Sequence, residues 1–290
     1  DEGRYAYKSI DVDRIKNLVV RSPESGVRSQ DFETPDPILP TPNSQLRTYD
    51  GVQTTWAEVL LKVASLLKKA PARWGVLLSA QYTNEEIFLQ KRIFKDFLKM
   101  ANMGFQTSGQ DGTEDNFLIK KDKNPNTAGA SQILALAKES ESLDPILEKA
   151  KRGELDGLFI FNHDLSKLCG AEALRMIRQK VKTIIYEGTN LNPTAEAADF
   201  VLPGAVYAEK NGTFTNFQGR VQRIKKAFEP LGQARATWQI LLELGVYLGI
   251  NFSGDQPLII FNELAKENEA FKGLDYKKIG NLGMMWNKPE

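Results

Sequence analysis

Cysteine and histidine are almost absent from this chain of 290 residues. Cys169 is the only thiol, which excludes an internal disulfide and also an iron–sulfur cluster held by this chain alone, because such clusters need several thiolates. His163 is the only imidazole, which excludes a metal site built from several histidines. Neither a disulfide framework nor a cysteine or histidine metal centre can therefore organise this fold.

An excess of charge of one sign is also lacking. Lys and Arg number 38 against 37 Asp and Glu, so the chain has no broad basic field for nucleic acid and no acidic tail. The three lysines Lys120, Lys121 and Lys123 are better explained by a solvated loop than by a binding patch. We expect no nucleic-acid partner.

Long apolar runs are missing as well. The longest stretches, near Leu241 and Leu258, are far shorter than the roughly 20 residues of a membrane-spanning helix. The chain starts with Asp-Glu-Gly-Arg, which is not the apolar region of a signal peptide. We expect no direct membrane insertion, and membrane contact only through partner subunits.

Glycine-rich phosphate motifs do not occur. No Gly-x-Gly-x-x-Gly opens a helix after a strand, so an ordinary dinucleotide site would lack its pyrophosphate cradle. No phosphate-binding loop with Gly-Lys-Ser/Thr is found either. The common signatures therefore point to no enzyme class.

What is present is a pattern of helices and buried strands. Two capping boxes, Thr55 with Glu58 and Thr83 with Glu86, predict helix starts. Apolar residues follow at helical spacing. In the second helix the residues predicted to share one side are Ile87, Phe94, Phe97 and Leu98. A further helix is predicted to have Asp144 as its N-cap and Pro145 at its first helical position. Two more helices are predicted, one over Glu172–Lys180 and a last one from about Thr237.

Short apolar runs predict strands that are buried on both faces. These runs are Leu18 to Val20, Trp74 to Leu78, residues 157–161 and Thr183 to Tyr186. Apolar strands that alternate with amphipathic helices are typical of the α/β class, with a parallel-rich sheet flanked by helices and a Rossmann-like topology.

Composition predicts three regions. Residues 1–50 form an extended N-terminal segment, in which residues 21–50 hold five prolines. Residues 51–250 form the α/β domain, and residues 251–290 form a C-terminal extension. Near the end of the domain, Asn211-Gly212 predicts a hairpin turn between Val206-Tyr207 and Phe214.

Two isolated residues are candidates for chemistry. His163 follows a predicted strand, where it is either a plain loop histidine, which we favour, or an acid–base pair with Asp164. Cys169 precedes Gly170 and a helix, where it is either a small buried side chain, which we favour, or a thiol activated by the helix dipole.

Two segments are candidates for ligand binding. The loop 187–190 is either a ligand loop or a glycine-assisted turn. Residues 199–224 carry a dense set of hydrogen-bonding side chains, which either line a phosphate-bearing cofactor or join the hairpin to neighbouring loops. These side chains are Thr213, Thr215, Asn216, Gln218, Arg220 and Gln222.

One long segment resembles a known family. DFVLPGAVYAEKNGTFTNFQGRVQRIKKAFEPLGQARATWQILLELG is similar to the late part of molybdopterin oxidoreductases. Within that family it is most similar to the molybdopterin-like domain in the iron–sulfur subunit of NADH–quinone oxidoreductases (NADH dehydrogenases, complex I). Other stretches resemble the family in the same order. They are DEGRYAYKSIDVDRI, TTWAEVLLKVASLLKK, YTNEEIFLQKRIFKDFLK and DNFLIKKDKNPNTAGA.

The resemblance implies a non-catalytic domain of an electron-transfer subunit. Residues 1–50 would include the tail of a preceding iron–sulfur module, whose clusters we expect before Asp1 and not in this chain. The chain passes quickly from Phe105 to Phe117, without a counterpart of the family's metal ligand. We therefore assign no catalytic, cofactor-binding or metal residue. Thr213, Asn216 and Arg220 would be inherited structure.

The resemblance also implies partners and an alternative. The partners would be other subunits of a respiratory or hydrogenase complex, on the cytoplasmic side of the inner membrane. The alternative is an oxidoreductase domain that binds a molybdenum or tungsten pterin dinucleotide between the loops 187–190 and 211–222. A free-standing interaction module is a third possibility.

Overall fold

A computed structural model describes residues 13–21, 54–106, 114–115, 121–136 and 142–287. A six-stranded sheet forms its centre, in the order β1-β6-β5-β4-β2-β3. Its strands are β1 Val19–Val20, β2 Trp74–Ser79, β3 Asn102–Gln106, β4 Gly157–Phe161, β5 Thr183–Gly188 and β6 Phe200–Pro203. All neighbours pair in parallel except β1, which is antiparallel to β6. The predicted α/β class with a parallel-rich sheet is confirmed.

Helices separate the strands along the chain. They are α1 Trp56–Lys69, α2 Asn84–Gln90, α3 Thr127–Leu134, α4 Asp144–Arg152, α5 Leu165–Cys169, α6 Ala171–Lys180, α7 Pro193–Ala197, α8 Thr237–Leu248, α9 Pro257–Glu267 and α10 Tyr276–Ile279. No helix of the described residues has the length and apolar character needed to cross a membrane.

The central strands are apolar throughout because helices cover both faces of the sheet. In β4, Phe159 and Phe161 face a core that includes α1, α2 and α8. Leu158 and Ile160, between them, face a second core that includes α4 and α6. Side chains alternate between the faces of a strand, so a strand buried on both faces needs an uninterrupted apolar run.

Helix α2 departs from its predicted periodicity. Its capping box between Thr83 and Glu86 is confirmed. From Lys91 to Phe97, however, the chain continues as a π-helix, in which the Leu98 N–H donates to the Ile93 carbonyl five residues back. The wider turn rotates the later residues, and the side chain of Phe97 is 46% exposed. The prediction that Phe97 shares the buried face was therefore wrong.

The start of α4 also differs in detail. Asp144 was predicted to be the N-cap, but it is the first helical residue, and Leu143 occupies the cap position without a side-chain cap. The Ser142 hydroxyl instead accepts the Asp144 N–H at 3.1 Å. Pro145 still lies in the first turn, where its missing N–H leaves no helical bond unmade.

The predicted hairpin exists, but its turn lies further along the chain. Strands β7 Gly212–Thr215 and β8 Arg220–Ile224 pair across residues 216–219, and a short strand β9 Met284–Met285 joins them. The Asn216 side chain accepts the Gln218 and Arg220 N–H groups and closes the turn. The Asn211-Gly212 step therefore enters a strand and does not form the turn.

Residues 207–209 form a 3-10 helix, so they cannot be the first strand of the hairpin. The helix that begins at Thr237 is confirmed, but it is not the last one, because α9 and α10 follow it. The C-terminal segment packs on the domain, with α9 against α2 and β9 on the edge of the small sheet.

The two phenylalanines of the π-helix provide a matched test of this packing. Phe94→Ala should lower the free energy of unfolding by about 3–5 kcal/mol, because Phe94 is fully buried beside Phe159 and Phe161. Phe97→Ala should change it by less than about 1 kcal/mol, because the ring is half-exposed. Urea unfolding of both variants measures the difference, and equal losses would contradict the π-helical register.

Candidate functional site

The sheet topology marks one edge as the place for a ligand. The chain passes from β2 outward to β3, then returns to β4 on the other side of β2. In α/β sheets, ligands bind outside the carboxyl ends of the strands at such a reversal. The loops after β2, β4 and β5 therefore define the candidate site.

A layer of neutral polar side chains lies at this edge, and we call it the edge layer. Its members are Gln81, Asn162, Thr189, Asn190 and Asn192. Asn162 Nδ2 donates to Gln81 Oε1 at 2.7 Å, while its Oδ1 accepts the Thr189 N–H at 3.3 Å. The Thr189 hydroxyl donates to Asn190 Oδ1 at 2.7 Å. One amide, Asn162, thus joins the loops after β2, β4 and β5.

The backbone holds Asn162 in a specific conformation. Its φ is +55°, in the left-handed region that asparagine adopts more readily than most residues other than glycine. The Asn162 N–H donates to the Glu187 carbonyl at 2.7 Å, which anchors the loop on β5. The side chain is half-buried, so it remains accessible from one side.

A buried polar network lies next to this layer, and an ion pair stands at its centre. Lys210 Nζ donates to both carboxylate oxygens of Glu86, at 2.8 and 2.7 Å, and the two side chains are 4% and 0% exposed. Glu86 also accepts the Thr83 N–H as part of the capping box. The pair therefore ties the start of α2 to the segment just before β7.

The neighbouring carboxyl group, Glu85, binds the small sheet and the C-terminal region. Its oxygens accept the Thr213 N–H at 2.8 Å, the Thr213 hydroxyl at 2.9 Å and the Tyr276 hydroxyl at 2.7 Å. Burial raises the pKa of Glu85 to about 7, against the opposing effect of these hydrogen bonds. Asn84 adds bonds to Thr213 and Thr215, at 2.9 and 3.0 Å.

A third buried carboxyl group, Glu187, lies at the end of β5. It accepts the hydroxyl of Tyr82 at 2.5 Å and that of Thr237 at 2.8 Å. Burial raises the pKa of Glu187 to about 7, although the two hydroxyls and the positive charge of Lys210 oppose this shift. Lys210 also lies 5.4 Å from the centre of the Tyr82 ring, so the network is continuous from Glu86 to Thr237.

A second buried ion pair closes the network from the N-terminal side. Arg14 donates to both oxygens of Glu209, at 3.0 and 2.7 Å, and both side chains are fully buried. Glu209 in turn accepts the Val206 N–H at 3.0 Å. This bidentate pair fixes residues 206–210, and therefore the position of Lys210.

Close approach of the hairpin to α2 requires glycine at position 212. A Cβ there would lie 2.7 Å from Thr83 Cγ2 and 2.9 Å from Thr83 Cβ. Both distances are well below ordinary van der Waals contact. Gly212, predicted to form a turn, therefore has a packing role at the first turn of α2.

His163 lies in the loop after β4, where its side chain is buried and hydrogen-bonds to β2, not to Asp164. Its side chain is 1% exposed, and Nε2 lies 2.7 Å from the Leu78 carbonyl, to which it donates. Burial lowers the pKa of His163, which favours the neutral imidazole. Asp164 instead caps α5 by accepting the Ser166 N–H at 3.0 Å. The histidine links β2 to the loop after β4.

Cys169 is the last residue of α5, not an activated thiol at a helix start. Its Sγ donates to the Leu165 carbonyl at 3.2 Å, and the side chain packs against the second core. Burial raises the pKa of this half-buried thiol. The favoured interpretation, a small structural side chain, agrees with this environment.

The hydrogen-bonding residues of 199–224 divide into two groups. Thr213 and Thr215 are buried against α2, and Asn216 closes the turn, so these three join the hairpin to its surroundings. Gln218 and Gln222 are exposed, and Arg220 donates to the Gly283 carbonyl at 3.4 Å.

In the predicted solvated loop, Lys121 and Lys123 are exposed, whereas Lys120 lies outside the described residues.

The central residues of the network were not identified from the sequence. Glu85 and Glu86 occupy a helix N-terminus, where acidic residues are expected for capping alone. Lys210 precedes Asn-Gly and has the pattern of a surface turn. A possible signal was the pair of hydroxyls at 213 and 215, which point to the same face of a strand and need partners when that face is buried.

Comparison with known proteins supports part of the predicted resemblance. Residues 109–247 match the molybdopterin oxidoreductase family. This part of the chain, slightly under half of its length, resembles a molybdopterin oxidoreductase domain. The match includes the loops after β4 and β5 and the whole hairpin, which contain most of the edge layer and Lys210. Among the described residues, no group of three or more His, Cys, Asp or Glu side chains is placed to hold a metal ion.

Several relatives of this domain are much longer proteins. A probable oxidoreductase of Bacillus subtilis is 31% identical over 143 residues, which are 49% of this chain and 14% of that protein. A formate dehydrogenase subunit alpha of Methanocaldococcus jannaschii is 40% identical over 105 residues, which are 36% of this chain and 16% of that protein. Among solved structures, acetylene hydratase from Pelobacter acetylenicus matches with a TM-score of 0.40 and 17% identity, over 50% of this chain and 20% of that chain.

The alignments cover about one seventh of the length of these relatives. The relatives are described as formate dehydrogenases or oxidoreductases, which supports the family resemblance but not its narrower form, the complex I subunit.

The buried carboxyl groups predict a dependence of stability on pH. Because the pKa of Glu187 is raised to about 7 in the folded state, the folded protein holds a proton that the unfolded chain releases near pH 4.5. The preferential binding of this proton to the folded state stabilises the fold. The stabilisation is complete below the unfolded pKa of about 4.5 and is lost as the pH rises through about 7. Glu187→Gln should remove it, so the variant should gain on the order of 3 kcal/mol relative to the wild type between pH 4 and 8.

Urea unfolding across this pH range measures the effect. Glu85→Gln should behave in the same direction, since the pKa of Glu85 is also about 7, and the double variant should show the flattest profile. A difference between wild type and Glu187→Gln that does not change with pH would show that Glu187 has the same pKa in the folded and unfolded states, which contradicts the raised pKa.

Proposed function

We propose that this chain contributes one wall of the cofactor site in a molybdenum- or tungsten-dependent pterin oxidoreductase. The edge layer would hold the neutral heterocycle and ribose groups of a pterin dinucleotide. The bound metal would supply the redox chemistry, and the protein would supply binding and orientation. The observation that carries the proposal is the position of the edge layer, which lies at the topological reversal of the sheet and largely within the family match.

The chemistry of the edge layer suits this ligand. Amide side chains offer both donors and acceptors, which fix the orientation of flat heterocycles in many binding sites. Asn162 would present its amide from the loop after β4, and Thr189 would present its hydroxyl from the loop after β5. These groups are half-buried and held by mutual hydrogen bonds, so they are already oriented.

Phosphate groups would need a different holder. The N-terminus of α2 is closed by Thr83 and Glu86, and the helices α5 and α7 are capped by Asp164 and Asn192. Two of these caps bring a negative charge to the place where a phosphate would bind. The loop 187–190 would therefore bind the uncharged part of the ligand. The buried threonines of 211–222 bond to α2 and would not contact the ligand.

A second candidate function is the non-catalytic domain predicted from the sequence, in an electron-transfer subunit of an NADH–quinone oxidoreductase or hydrogenase complex. The observation that favours it is the saturation of the buried network, in which Thr213 and Thr215 bond to α2 and not toward an open cleft. In this function the edge layer would be inherited structure, and partner subunits would carry the iron–sulfur clusters.

Formate oxidation is the more specific form of the main proposal, because several relatives are named formate dehydrogenases. Partner subunits of a redox complex, and a peripheral position on the cytoplasmic side of a membrane, belong to both candidates.

Metal and pterin analysis distinguishes the two candidates. The chain, purified from a host supplied with molybdate and tungstate, should contain molybdenum or tungsten together with a fluorescent pterin if it forms part of the cofactor site. Asn162→Asp should lower the content of both by about tenfold or more, since it removes the amide donor and adds a negative charge at the edge layer. Elemental analysis and pterin fluorescence give the two readings.

Asn251→Asp is the matched control, because it makes the same change from amide to carboxylate at an exposed residue after α8. It should leave metal and pterin content unchanged. Protein without metal or pterin, with a normal unfolding transition, would overturn the main proposal and favour the non-catalytic domain.

A further inference from the structure

The small sheet carries an unusual charge for a chain that is nearly neutral overall. Residues 216–226 and 276–287 contain six Lys and Arg residues and no Asp or Glu. The six are Arg220, Arg223, Lys225, Lys226, Lys277 and Lys278. Such a local excess is not expected from a composition of 38 basic and 37 acidic residues.

These two segments lie side by side, and we call the region that they form the basic face. Strand β9 pairs with β8, so that Met285 lies opposite Arg220. Arg223 donates to the Tyr276 carbonyl at 3.3 Å, and Lys225 donates to Asn281 Oδ1 at 3.0 Å. The cations of the hairpin and those of the C-terminal segment are therefore neighbours.

Most of this charge is not neutralised within the described residues. Lys226 pairs with Glu229 at 2.6 Å, and Lys278 lies 3.9 Å from Asp275. The other four cations make no ion pair with a described carboxylate. They are Arg220, Arg223, Lys225 and Lys277. Their bonds go to carbonyls, an amide and an aromatic ring, which leave the positive charge in place.

Large apolar side chains are exposed in the second of these segments. Leu282 is 86% exposed, Met284 is 41% exposed and Met285 is 39% exposed. They belong to β9 or to the residues just before it, and β9 is the edge strand of the small sheet. An apolar edge strand can pair with a further strand, and methionine side chains adapt to varied contact surfaces.

We propose that the basic face docks a partner polypeptide whose contact segment is extended, with apolar side chains flanked by Asp or Glu. Apolar anchors would contact Leu282 and the two methionines, and the carboxylates would face the exposed cations Lys225 and Lys277. This inference does not depend on the cofactor proposal, since neither the edge layer nor a metal takes part in it.

The exposed groups fit a polypeptide better than a nucleic acid. Single-stranded nucleic acids bind through successive aromatic rings that stack on bases. In these two segments Phe217 is 69% exposed, but Tyr276 is buried and Trp286 packs edge-to-face on Phe271 at 5.8 Å. The other exposed apolar groups are aliphatic or thioether side chains, which suit apolar side chains of a protein.

Binding of a labelled peptide tests the proposal. The probe is a short synthetic strand that alternates glutamate with leucine and valine, and its counterpart has lysine in place of glutamate. The full chain should bind the glutamate peptide and not the lysine peptide, as measured by fluorescence anisotropy, and added salt should weaken the binding. Lys225→Gln with Lys277→Gln should weaken it by about tenfold, and Leu282→Ser by a similar factor.

Matched controls lie on α1. Lys62→Gln with Lys69→Gln removes the same charge, and Leu61→Ser removes an exposed leucine side chain from another surface. These variants should bind the glutamate peptide as the wild type does. All substituted side chains are solvent-exposed, and an unchanged melting temperature confirms that the variants are folded.

Hydrogen exchange gives a reading without any substitution. Bound peptide should slow amide exchange in residues 282–286, which form the edge. The proposal is overturned by equal losses in the α1 controls, or by absence of peptide binding to the wild type. Binding of single-stranded DNA or of phosphatidylglycerol vesicles, lost in the Lys225 and Lys277 variant while the peptide fails to bind, would assign the face to those ligands instead.

Discussion

The buried ion pair between Glu86 and Lys210 is the contact on which the arrangement of the carboxyl edge depends. Both oxygens of Glu86 accept from Lys210, so the attraction acts at short range in a dry interior. Desolvation of two charges opposes folding, and a buried pair is stabilising only when geometry and extra hydrogen bonds compensate. Here the capping box supplies a further hydrogen bond to Glu86, and the Arg14–Glu209 pair fixes the residues just before Lys210. As a result the hairpin has one position relative to α2.

The buried network and the edge layer have different roles: the network holds the loops in place, and the edge layer is accessible to a ligand. Its carboxyl groups face hydroxyls and cations inside the protein, and two of them have a pKa near 7 because burial favours the neutral acid. The edge layer, in contrast, consists of neutral amides and a hydroxyl that are half-buried or exposed. Glu187 belongs to both levels, because its side chain lies in the network while its carbonyl holds the Asn162 N–H. A substitution that moves Glu187 would therefore also move Asn162 in the edge layer.

Features set by local chemistry were predictable, and features set by distant contacts were not. The apolar run 157–161 predicts β4, and Thr83 with Glu86 predicts the start of α2, because both signals are contained in a few residues. The π-helix that exposes Phe97 has no such signal. In the candidate site, the loop 187–190 can be identified from the sequence, since it follows a strand. Lys210 was missed because its partner lies 124 residues away in the chain.

Tyr276 connects the network to the basic face. Its hydroxyl donates to Glu85 at 2.7 Å, while the Arg223 guanidinium lies 4.6 Å from the centre of its ring. The ring is buried, so its position is fixed from one side by α2 and from the other by β8. Because Tyr276 contacts both Glu85 and Arg223, it fixes the position of β8 relative to the start of α2. The small sheet is therefore held as an extension of the parallel sheet's ligand-binding end, although it shares no strand with it.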